Sequence, residues 1–180
     1  MKEFFKRYSY PSVILFVNQI AIAIFGLVLA LSAQKADNEA LKIVTSVFSI
    51  IFMLFLQFIG IWKAGAEDRI SIDLGKRELD MRIPFVIWLI GNSINLLMAI
   101  LYTVGYFVEP LSALMGVKVI ALLIEGEYTG LLSIDVGGIA LNNMWYMYFL
   151  ITLPSLAAVV LGYLAGVKNI TARKFFGKTE

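Results

Sequence analysis

The chain has 180 residues, of which 60% are hydrophobic and 16% are charged, and its formal net charge is +2. A soluble domain is closer to half apolar and a quarter charged, so this composition predicts an integral membrane protein. The chain contains no cysteine and no histidine, which excludes disulfides, thiol chemistry and metal sites built on those side chains. We expect neither a metal nor a cofactor.

Four apolar runs without a charged residue predict four transmembrane helices. Each run reaches the length of about 20 residues that a helix needs to cross about 30 Å of hydrocarbon. Continuous apolar runs favour helices over the alternating strands of a barrel. The predicted helices cover residues 12–32, 43–62, 84–108 and 145–167. We therefore predict a single transmembrane domain over residues 1–180, an all-α, integral membrane four-helix bundle.

The distribution of positive charge predicts the orientation of this bundle. Lys35, Lys42 and Lys118 fall on one side, and the other twelve of the fifteen lysines and arginines fall on the opposite side. Positive charge favours the cytoplasmic side of a membrane. We expect both termini and the inner loop, residues 63–83, in the cytoplasm, and the outer loop, residues 109–144, on the other face.

A fifth apolar run at residues 111–124 lies within the outer loop. It is short and contains Lys118, and a fifth span would place the basic carboxyl-terminal tail outside. We predict an interfacial or re-entrant segment, or a helix folded over the mouth of the bundle. A surface-lying connector is the simpler interpretation, and a lid over a cavity is the functional alternative.

Uncharged polar side chains recur within the predicted helices. Gln19 shares a helical face with Ala23 and Gly26, so we expect it to point into the bundle rather than into lipid. At about 1.5 Å per residue, the strongest polar groups of the first three helices fall roughly 8–12 Å from the inner edge. The candidate buried polar cluster consists of Asn18, Gln19, Gln57, Asn92, Asn95 and Ser155.

Small residues on the same helical faces predict close contacts between helices. Gly162 and Gly166 form a GxxxG pair that suits either a contact within the bundle or a dimer. Pro154 predicts a kink in the fourth helix, because it frees the carbonyl of Leu150. The candidate helix-packing residues are Gly26, Gly60, Ala158, Gly162 and Gly166.

Two interpretations of the buried amides remain open. They are either structural, bonding across helices for about 0.6–2 kcal/mol each, or they line a small cavity that binds a neutral or zwitterionic ligand. None of the predicted helices contains an acid or a base. This argues against an ion-coupled pump, which usually needs such residues within the membrane.

The inner loop is the most charged stretch, and its acids and bases balance. Ile70, Ile72 and Leu74 alternate with polar residues, which predicts a short strand ended by Gly75, and residues 76–82 predict a helical turn. The loop is either a solvated connector near anionic lipid headgroups or a docking surface. The candidate partner loop residues are Arg69, Lys76, Arg77 and Arg82.

The stretches GAEDRISIDLGKRELDMRIP, at 65–84, and GYLAGVKNI, at 162–170, resemble those of uncharacterised small multi-pass membrane proteins of Gram-positive bacteria. The resemblance covers the inner loop and the end of the last helix. It implies a bacterial cell (inner) membrane and no particular activity or site.

These observations predict a non-enzymatic membrane subunit or accessory protein that acts through helix packing and its cytoplasmic loop. Its expected partners are the lipid bilayer and a membrane or cytoplasmic protein or a second copy of the chain, and not nucleic acid. The alternative is a small-solute transporter or channel component with its site at the buried amides. A membrane-embedded enzyme is a distant third, because no P-loop and no intramembrane aspartate is present.

Overall fold

The computed structural model describes residues 2–36 and 38–170, with side chains from residue 4 onward. These residues are predominantly helical. The helices are α1 Lys2–Lys35, α2 Glu39–Asp73, α3 Arg82–Gly91, α4 Ser93–Phe107, α5 Val117–Ile124, α6 Thr129–Leu132, α7 Met147–Leu150 and α8 Leu153–Val167. Short 3-10 helices cover Glu109–Gly116, Gly126–Tyr128 and Leu141–Asn143, and an antiparallel hairpin pairs β1 Asp135–Val136 with β2 Ile139–Ala140.

Three stretches of the described chain are long and apolar enough to cross a membrane. They are Phe4–Lys35 in α1, Glu39–Asp73 in α2, and Met147–Val167, which contains α7 and α8. The pair α3 and α4 passes the same test together but is bent by 68°, so it counts as a fourth span only if it is one broken span. The prediction of a helical chain with several apolar spans is confirmed.

The first two helices are longer than predicted. α1 has 34 residues and α2 has 35, which at about 1.5 Å per residue makes each about 50 Å long. The predicted ranges 12–32 and 43–62 therefore cover only the apolar middle of each helix. Hydropathy measures the part that suits hydrocarbon, whereas a helix continues for as long as its backbone hydrogen bonds and caps allow. Asn38 supplies one such cap, because its side chain accepts the N–H of Leu41 at 3.1 Å.

The inner loop is largely helical, so the short strand predicted there is wrong. α2 continues through residues 63–73 as a regular helix. Ile70 is 65% exposed and Leu74 is 63% exposed. The alternating apolar residues therefore do not form the buried face that a strand would need. Gly75 follows with φ at +66°, a left-handed conformation that suits glycine and ends the helix. The helical turn predicted over residues 76–82 is also wrong, because that stretch is irregular until α3 begins.

The third predicted helix, residues 84–108, is not continuous. It is divided into α3 and α4 at Asn92, whose side-chain Nδ2 donates to the carbonyl oxygen of Trp88 at 3.1 Å. That carbonyl also accepts the backbone N–H of Asn92 at 2.8 Å. A side chain that competes for a helix carbonyl in this way bends the helix. An asparagine that was predicted as a buried polar group thus also marks a break.

The fourth predicted helix, residues 145–167, is divided as well. α7 ends at Leu150 and α8 begins at Leu153, with Pro154 in its first turn. Proline is tolerated there because the first helical residues have no intrahelical acceptor for their N–H groups. The predicted kink at Pro154 therefore takes the form of a helix start.

α8 lies directly against α2 because glycines remove the side chains between them. A Cβ on Gly162 would lie 2.6 Å from the carbonyl oxygen of Phe58, and one on Gly166 would lie 2.1 Å from that of Trp62. Gly65 on α2 makes the reciprocal approach to Tyr163. The GxxxG pair is thus occupied by a contact within the chain, which leaves no glycine groove for a dimer.

The other predicted packing residues divide into two kinds. Ala158 is buried on α8, and Gly26 on α1 lies against backbone, since a Cβ there would be 2.4 Å from the Cα of Glu127. Gly60 was expected at a helix contact, but no atom lies within 4 Å of the position of its Cβ. That prediction is wrong, because Gly60 falls beside rather than on the face of α2 that α8 covers.

The segment of residues 117–132, here the inserted segment, enters the space between α1 and α2. A Cβ on Gly126 would lie 1.9 Å from the carbonyl oxygen of Ala23, and one on Gly130 would lie 2.5 Å from that of Lys42. Ala23 lies twelve residues before Lys35, so the segment penetrates about 18 Å along α1 at 1.5 Å per residue. Residues 117–124 of the fifth apolar run thus lead into a segment that packs between the two long helices.

Candidate functional site

Two glutamates of the inserted segment are buried against the long helices. Glu125 follows the end of α5, where its N–H is bonded to the carbonyl of Ala121 at 2.8 Å. The chain then turns through Gly126–Tyr128, with glycine where it touches α1. Glu125 is 3% exposed and Glu127 is fully buried. The close approach at Gly126 therefore places two carboxyl groups inside the helix packing.

A chain of hydrogen bonds joins Glu127 to both long helices. Nε2 of Gln19, on α1, donates to Oε1 of Glu127 at 2.6 Å. Nε2 of Gln57, on α2, donates to Oε1 of Gln19 at 3.1 Å. All three side chains are at most 4% exposed. We call Gln19, Gln57, Glu125, Glu127 and Tyr128 the Glu127 cluster.

Several buried oxygens of this region have no hydrogen-bond partner within the described part of the chain. They are Oε1 of Glu125, Oε2 of Glu127, the hydroxyl of Tyr128, Oε1 of Gln57 and Oγ of Ser46. Each unpaired buried polar group costs about 1–3 kcal/mol, and more if it is charged. Proteins usually satisfy such groups. Their concentration in one place makes this region the candidate site.

The carboxyls have no cationic partner either. Across residues 4–36 and 38–170, the ion pairs are Arg7 with Asp68 and Arg69 with Asp73, and neither includes Glu125 or Glu127. The inserted segment lies outside the candidate spans in chain order. Burial raises the pKa of the Glu125 carboxyl, and the nearby charge of Glu127 raises it further. Burial also raises the pKa of Glu127, whereas the hydrogen bonds from its own backbone N–H and from Gln19 lower it.

Tyr128 lies close to both carboxyls. Burial raises the pKa of its hydroxyl, and the charges of Glu125 and Glu127 raise it further. A phenol that cannot ionise here remains a neutral donor or acceptor. It therefore adds a third oxygen to the cluster without adding a charge.

A cleft of about 210 Å³ reaches the Glu127 cluster from the side. It lies between α1, α4 and the end of α5, and its walls are mainly apolar. The lining residues that matter here are Gln19, Ala23, Asn95, Leu123 and Ile124. Gln19 lines this cleft and also donates to Glu127, so it forms the boundary between the cleft and the carboxyls.

The six predicted polar residues do not form one cluster. Gln19 and Gln57 belong to the Glu127 cluster, whereas Nδ2 of Asn92 donates to Oγ of Ser155 at 3.2 Å and links the α3–α4 break to α8. Asn95 is buried on the wall of the cleft, and Asn18 is half-buried. Five of the six are buried as predicted, but they lie in separate groups, because the bend at Asn92 separates the polar faces.

A second buried acid lies near the other end of α1 and α2. Asp68 is 2% exposed and accepts hydrogen bonds from the hydroxyls of Tyr8, at 2.7 Å, and Tyr163, at 2.6 Å. Nη2 of Arg7 lies 2.5 Å from its other carboxylate oxygen. These four residues, the Asp68 cluster, tie α1 and α8 to α2.

The predicted partner loop residues lie at the surface. Arg69 is on α2 and pairs with Asp73 at 3.1 Å, whereas Lys76, Arg77 and Arg82 are exposed beyond the end of that helix. The structure does not bring these four residues into one site. Arg173, Lys174 and Lys178, which supported the predicted orientation, lie outside the described residues.

Glu125, Glu127 and Asp68 were not among the predicted site residues. All three lie outside the apolar runs in which the buried polar groups were predicted. One pattern was available: Gly126 and Gly130 flank Glu127 with the same spacing as Gly162 and Gly166. Small residues four apart allow close helix contact, so that spacing predicts insertion of the acid between them.

Within the described residues, no group of three or more acidic side chains is placed to hold a metal ion. Comparison with protein-family models, with curated proteins and with solved structures found no match to this chain. The function has to be inferred from the geometry of the chain itself.

Proposed function

We propose that this chain is a small-solute transporter or channel component of the bacterial cell membrane, with its site at the Glu127 cluster. One observation carries the proposal: the inserted segment places two carboxyls, which form no ion pair within the described part of the chain, against the buried amides of α1 and α2. The proposed role is non-enzymatic. It replaces the neutral or zwitterionic ligand expected from the amides alone with a cationic one.

The physical argument rests on the cost of burying acids. Ionisable residues at membrane depth are expensive, and they usually mark substrate or ion pathways. Structural polar contacts between membrane helices use neutral side chains at about 0.6 kcal/mol each. A carboxyl with one oxygen unpaired contributes less stability than an amide would at the same position. Stability alone therefore gives no reason for Glu127 to be an acid.

The proposal includes a four-span topology with both termini and the residue 63–83 region in the cytoplasm. It rests on the charge asymmetry of the connections and on the candidate spans. The natural absence of cysteine makes this easy to test with single cysteines and an impermeant thiol reagent. Lys76→Cys should react only in inverted vesicles, and Asp135→Cys only in intact cells. The opposite pattern would overturn the orientation.

The transport role is tested by ion flux into proteoliposomes. Vesicles containing the purified protein are compared with protein-free vesicles for uptake of radioactive sodium and rubidium, and for proton entry reported by an internal pH dye. Uptake of at least one ion should exceed that of empty vesicles and fall to their level in Glu127→Gln. Glu109→Gln is the matched control, because it makes the same change at an exposed position. Fluxes equal to those of empty vesicles for all three ions would contradict the proposal.

The accessory-subunit role remains the second candidate, because one observation favours it. Residues 73–82 are all exposed and include the apolar side chains of Leu74, Leu79 and Met81 beside Lys76 and Arg82. Gentle purification from native membranes should then recover a stoichiometric membrane or cytoplasmic partner. Replacing Lys76 and Arg82 by glutamine should remove that partner without lowering the melting temperature. Recovery of the chain alone would leave the transport role as the single proposal.

A further inference from the structure

The Glu127 cluster has more hydrogen-bond acceptors than donors. When the carboxyls are ionised, the unpaired oxygens of Glu125, Glu127 and Gln57 can only accept. Each amide uses one N–H within the chain of bonds, Nε2 of Gln19 on Glu127 and Nε2 of Gln57 on Gln19, and has a second N–H besides. The two carboxylates have more lone pairs than these N–H groups and the Tyr128 hydroxyl can fill, so a ligand that fits here brings hydrogen-bond donors or positive charge.

Burial adds a requirement for charge. Glu125 and Glu127 are at least 97% buried, since their exposures are 3% and 0%. A buried carboxylate that is neither paired nor neutralised costs several kcal/mol. The cheapest compensation is a small positive ion next to the carboxyl oxygens.

We propose that Glu125 and Glu127, with the amide oxygen of Gln57, bind one small monovalent cation, either an alkali ion or a proton. The single charge follows from the two carboxyls lying in one buried site, where like charges do not both ionise. An all-oxygen set of carboxyl, amide and phenol groups suits a hard cation. This assignment deepens the proposed transport role and rests on it for its biological purpose.

The groups around the carboxyls leave this cation as the neutralising charge. α1 contributes Gln19, α2 contributes Gln57, and the inserted segment contributes Tyr128, all of which are uncharged. Tyr148 faces Glu125 from α7, and α6 carries no titratable side chain. Lys118 on α5 is about 10 Å from Glu125 along the helix at 1.5 Å per residue and donates to an asparagine side chain instead.

The lateral cleft provides the route to this site. Gln19 lines the cleft and holds Oε1 of Glu127 through its Nε2, so rotation of one amide exposes the carboxyl to the cleft. The cleft is also lined by Leu123 and Ile124, which directly precede Glu125 in the chain. Gln19 is therefore the residue that the cleft shares with the Glu127 cluster.

The test is the melting temperature of the full chain in detergent. It is measured in sodium, potassium and lithium chloride, with choline chloride at equal ionic strength as the reference, over a range of pH. Glu125→Gln and Glu127→Gln are compared with Glu109→Gln. Glutamine has the shape of a protonated glutamate and carries no charge, so both variants can keep the bond from Gln19.

A bound ion that the unfolded chain does not hold raises the melting temperature. If the cation is an alkali ion, one salt should raise it by several degrees over choline at alkaline pH, and the two cluster variants should lose the shift. If it is a proton, all salts should behave alike. The melting temperature should then fall as the pH rises above 4.5, the usual pKa of a glutamate, because a carboxyl with a raised pKa must ionise while buried. The cluster variants should flatten that fall, and Glu109→Gln should not.

The inference is overturned if the wild type and both cluster variants respond identically to salt and pH. If a variant does not fold, the test rests on the wild type. A wild-type melting temperature that depends neither on which cation is present nor on pH above 4.5 also rejects the site. The measurement needs no turnover. If stability depends on the cation but no flux is measured, the transport role is rejected and the cation site is kept. If flux is measured but stability does not depend on the cation, the cation site is rejected and the transport role is kept.

Discussion

The chain buries acids in two places, and the two differ in how well they are satisfied. Oδ2 of Asp68 accepts two tyrosine hydroxyls, and its Oδ1, which accepts no hydrogen bond, lies 2.5 Å from the Arg7 guanidinium and is paired by charge. Glu127 has one amide donor and an unpaired oxygen, and its neighbour Glu125 also has an unpaired oxygen. All three acids are almost completely buried, so burial alone does not separate structure from function. The difference lies in the partners.

A paired acid stabilises the helices around it, whereas an acid with unpaired oxygens can still bind a ligand. The Asp68 cluster joins three helices with charge-assisted bonds, which are about twice as strong as neutral ones. In the Glu127 cluster the same type of group is held by close glycine contacts while part of its bonding capacity remains unused. Five substitutions test this comparison, in order of decreasing expected effect.

The largest effect is expected from Asp68→Asn. The change removes the charge opposite Arg7 and leaves two buried tyrosine hydroxyls with a weaker acceptor. Breaking a buried ion pair by removing one partner costs about 3–5 kcal/mol. We expect about 3 kcal/mol of lost stability, because the Arg7 side chain is 30% exposed and regains some hydration. Chemical denaturation in detergent measures it, and a loss below about 1 kcal/mol would show that the pair is only a surface contact.

Gly126→Ala should come next. The added Cβ would lie 1.9 Å from the carbonyl oxygen of Ala23, and backbone on both sides must move. Overpacking of this kind costs about 1–3 kcal/mol. The matched control is Gly60→Ala, which adds the same methyl group in open space and should be neutral or stabilising by up to about 1 kcal/mol. Equal melting temperatures for the two variants would mean that the segment does not enter between α1 and α2.

Asn92→Leu should have a smaller effect of about 1 kcal/mol, because it removes the bonds to Trp88 and Ser155. Gln57→Leu should be milder still, since the single side-chain oxygen of Gln57 is already unpaired. Thermal melts of the two variants would rank them. A larger loss in Gln57→Leu than in Asn92→Leu would indicate that the Glu127 cluster is structural after all.

The smallest effect at neutral pH is expected from Glu127→Gln, the same acid-to-amide change as Asp68→Asn. The new amide oxygen still accepts from Gln19, and no ion pair is lost, so we expect a change within about 0.5 kcal/mol. At alkaline pH the variant should be more stable than the wild type when no alkali ion is present. A loss as large as that of Asp68→Asn would erase the contrast between the two acids.

The sequence predicted features that depend on local pattern. Apolar runs indicated where helices cross, and the spacing of Gly162 and Gly166 indicated a close helix contact, although not which helix it would meet. Helix ends were missed because charged residues at 63–73 continue α2 as readily as apolar ones. The break at Asn92 was missed because it depends on one side chain competing for a carbonyl.

The site itself was only half predictable. Gln19 and Gln57 stood out because amides are rare in apolar runs. Their acidic partner lies 108 residues from Gln19 in sequence, in a connection that hydropathy assigns to the surface. Contacts of that range follow from packing, and the packing here depends on glycine at Gly126 and Gly26. The buried hydrogen bonds of the other acid, Asp68, likewise include one from a tyrosine 95 residues away.

The central claim is that Glu125 and Glu127 are buried and are not paired with a cationic side chain of residues 4–36 or 38–170. Infrared spectroscopy tests it directly through the carbonyl stretch of protonated carboxyls. In choline buffer at neutral pH, without alkali ions, the wild type should show this band, and Glu125→Gln or Glu127→Gln should weaken it while Glu109→Gln leaves it unchanged. The account would be contradicted if the wild type showed only the bands of ionised carboxylates. Each variant would then differ from the wild type only by the loss of one ionised glutamate.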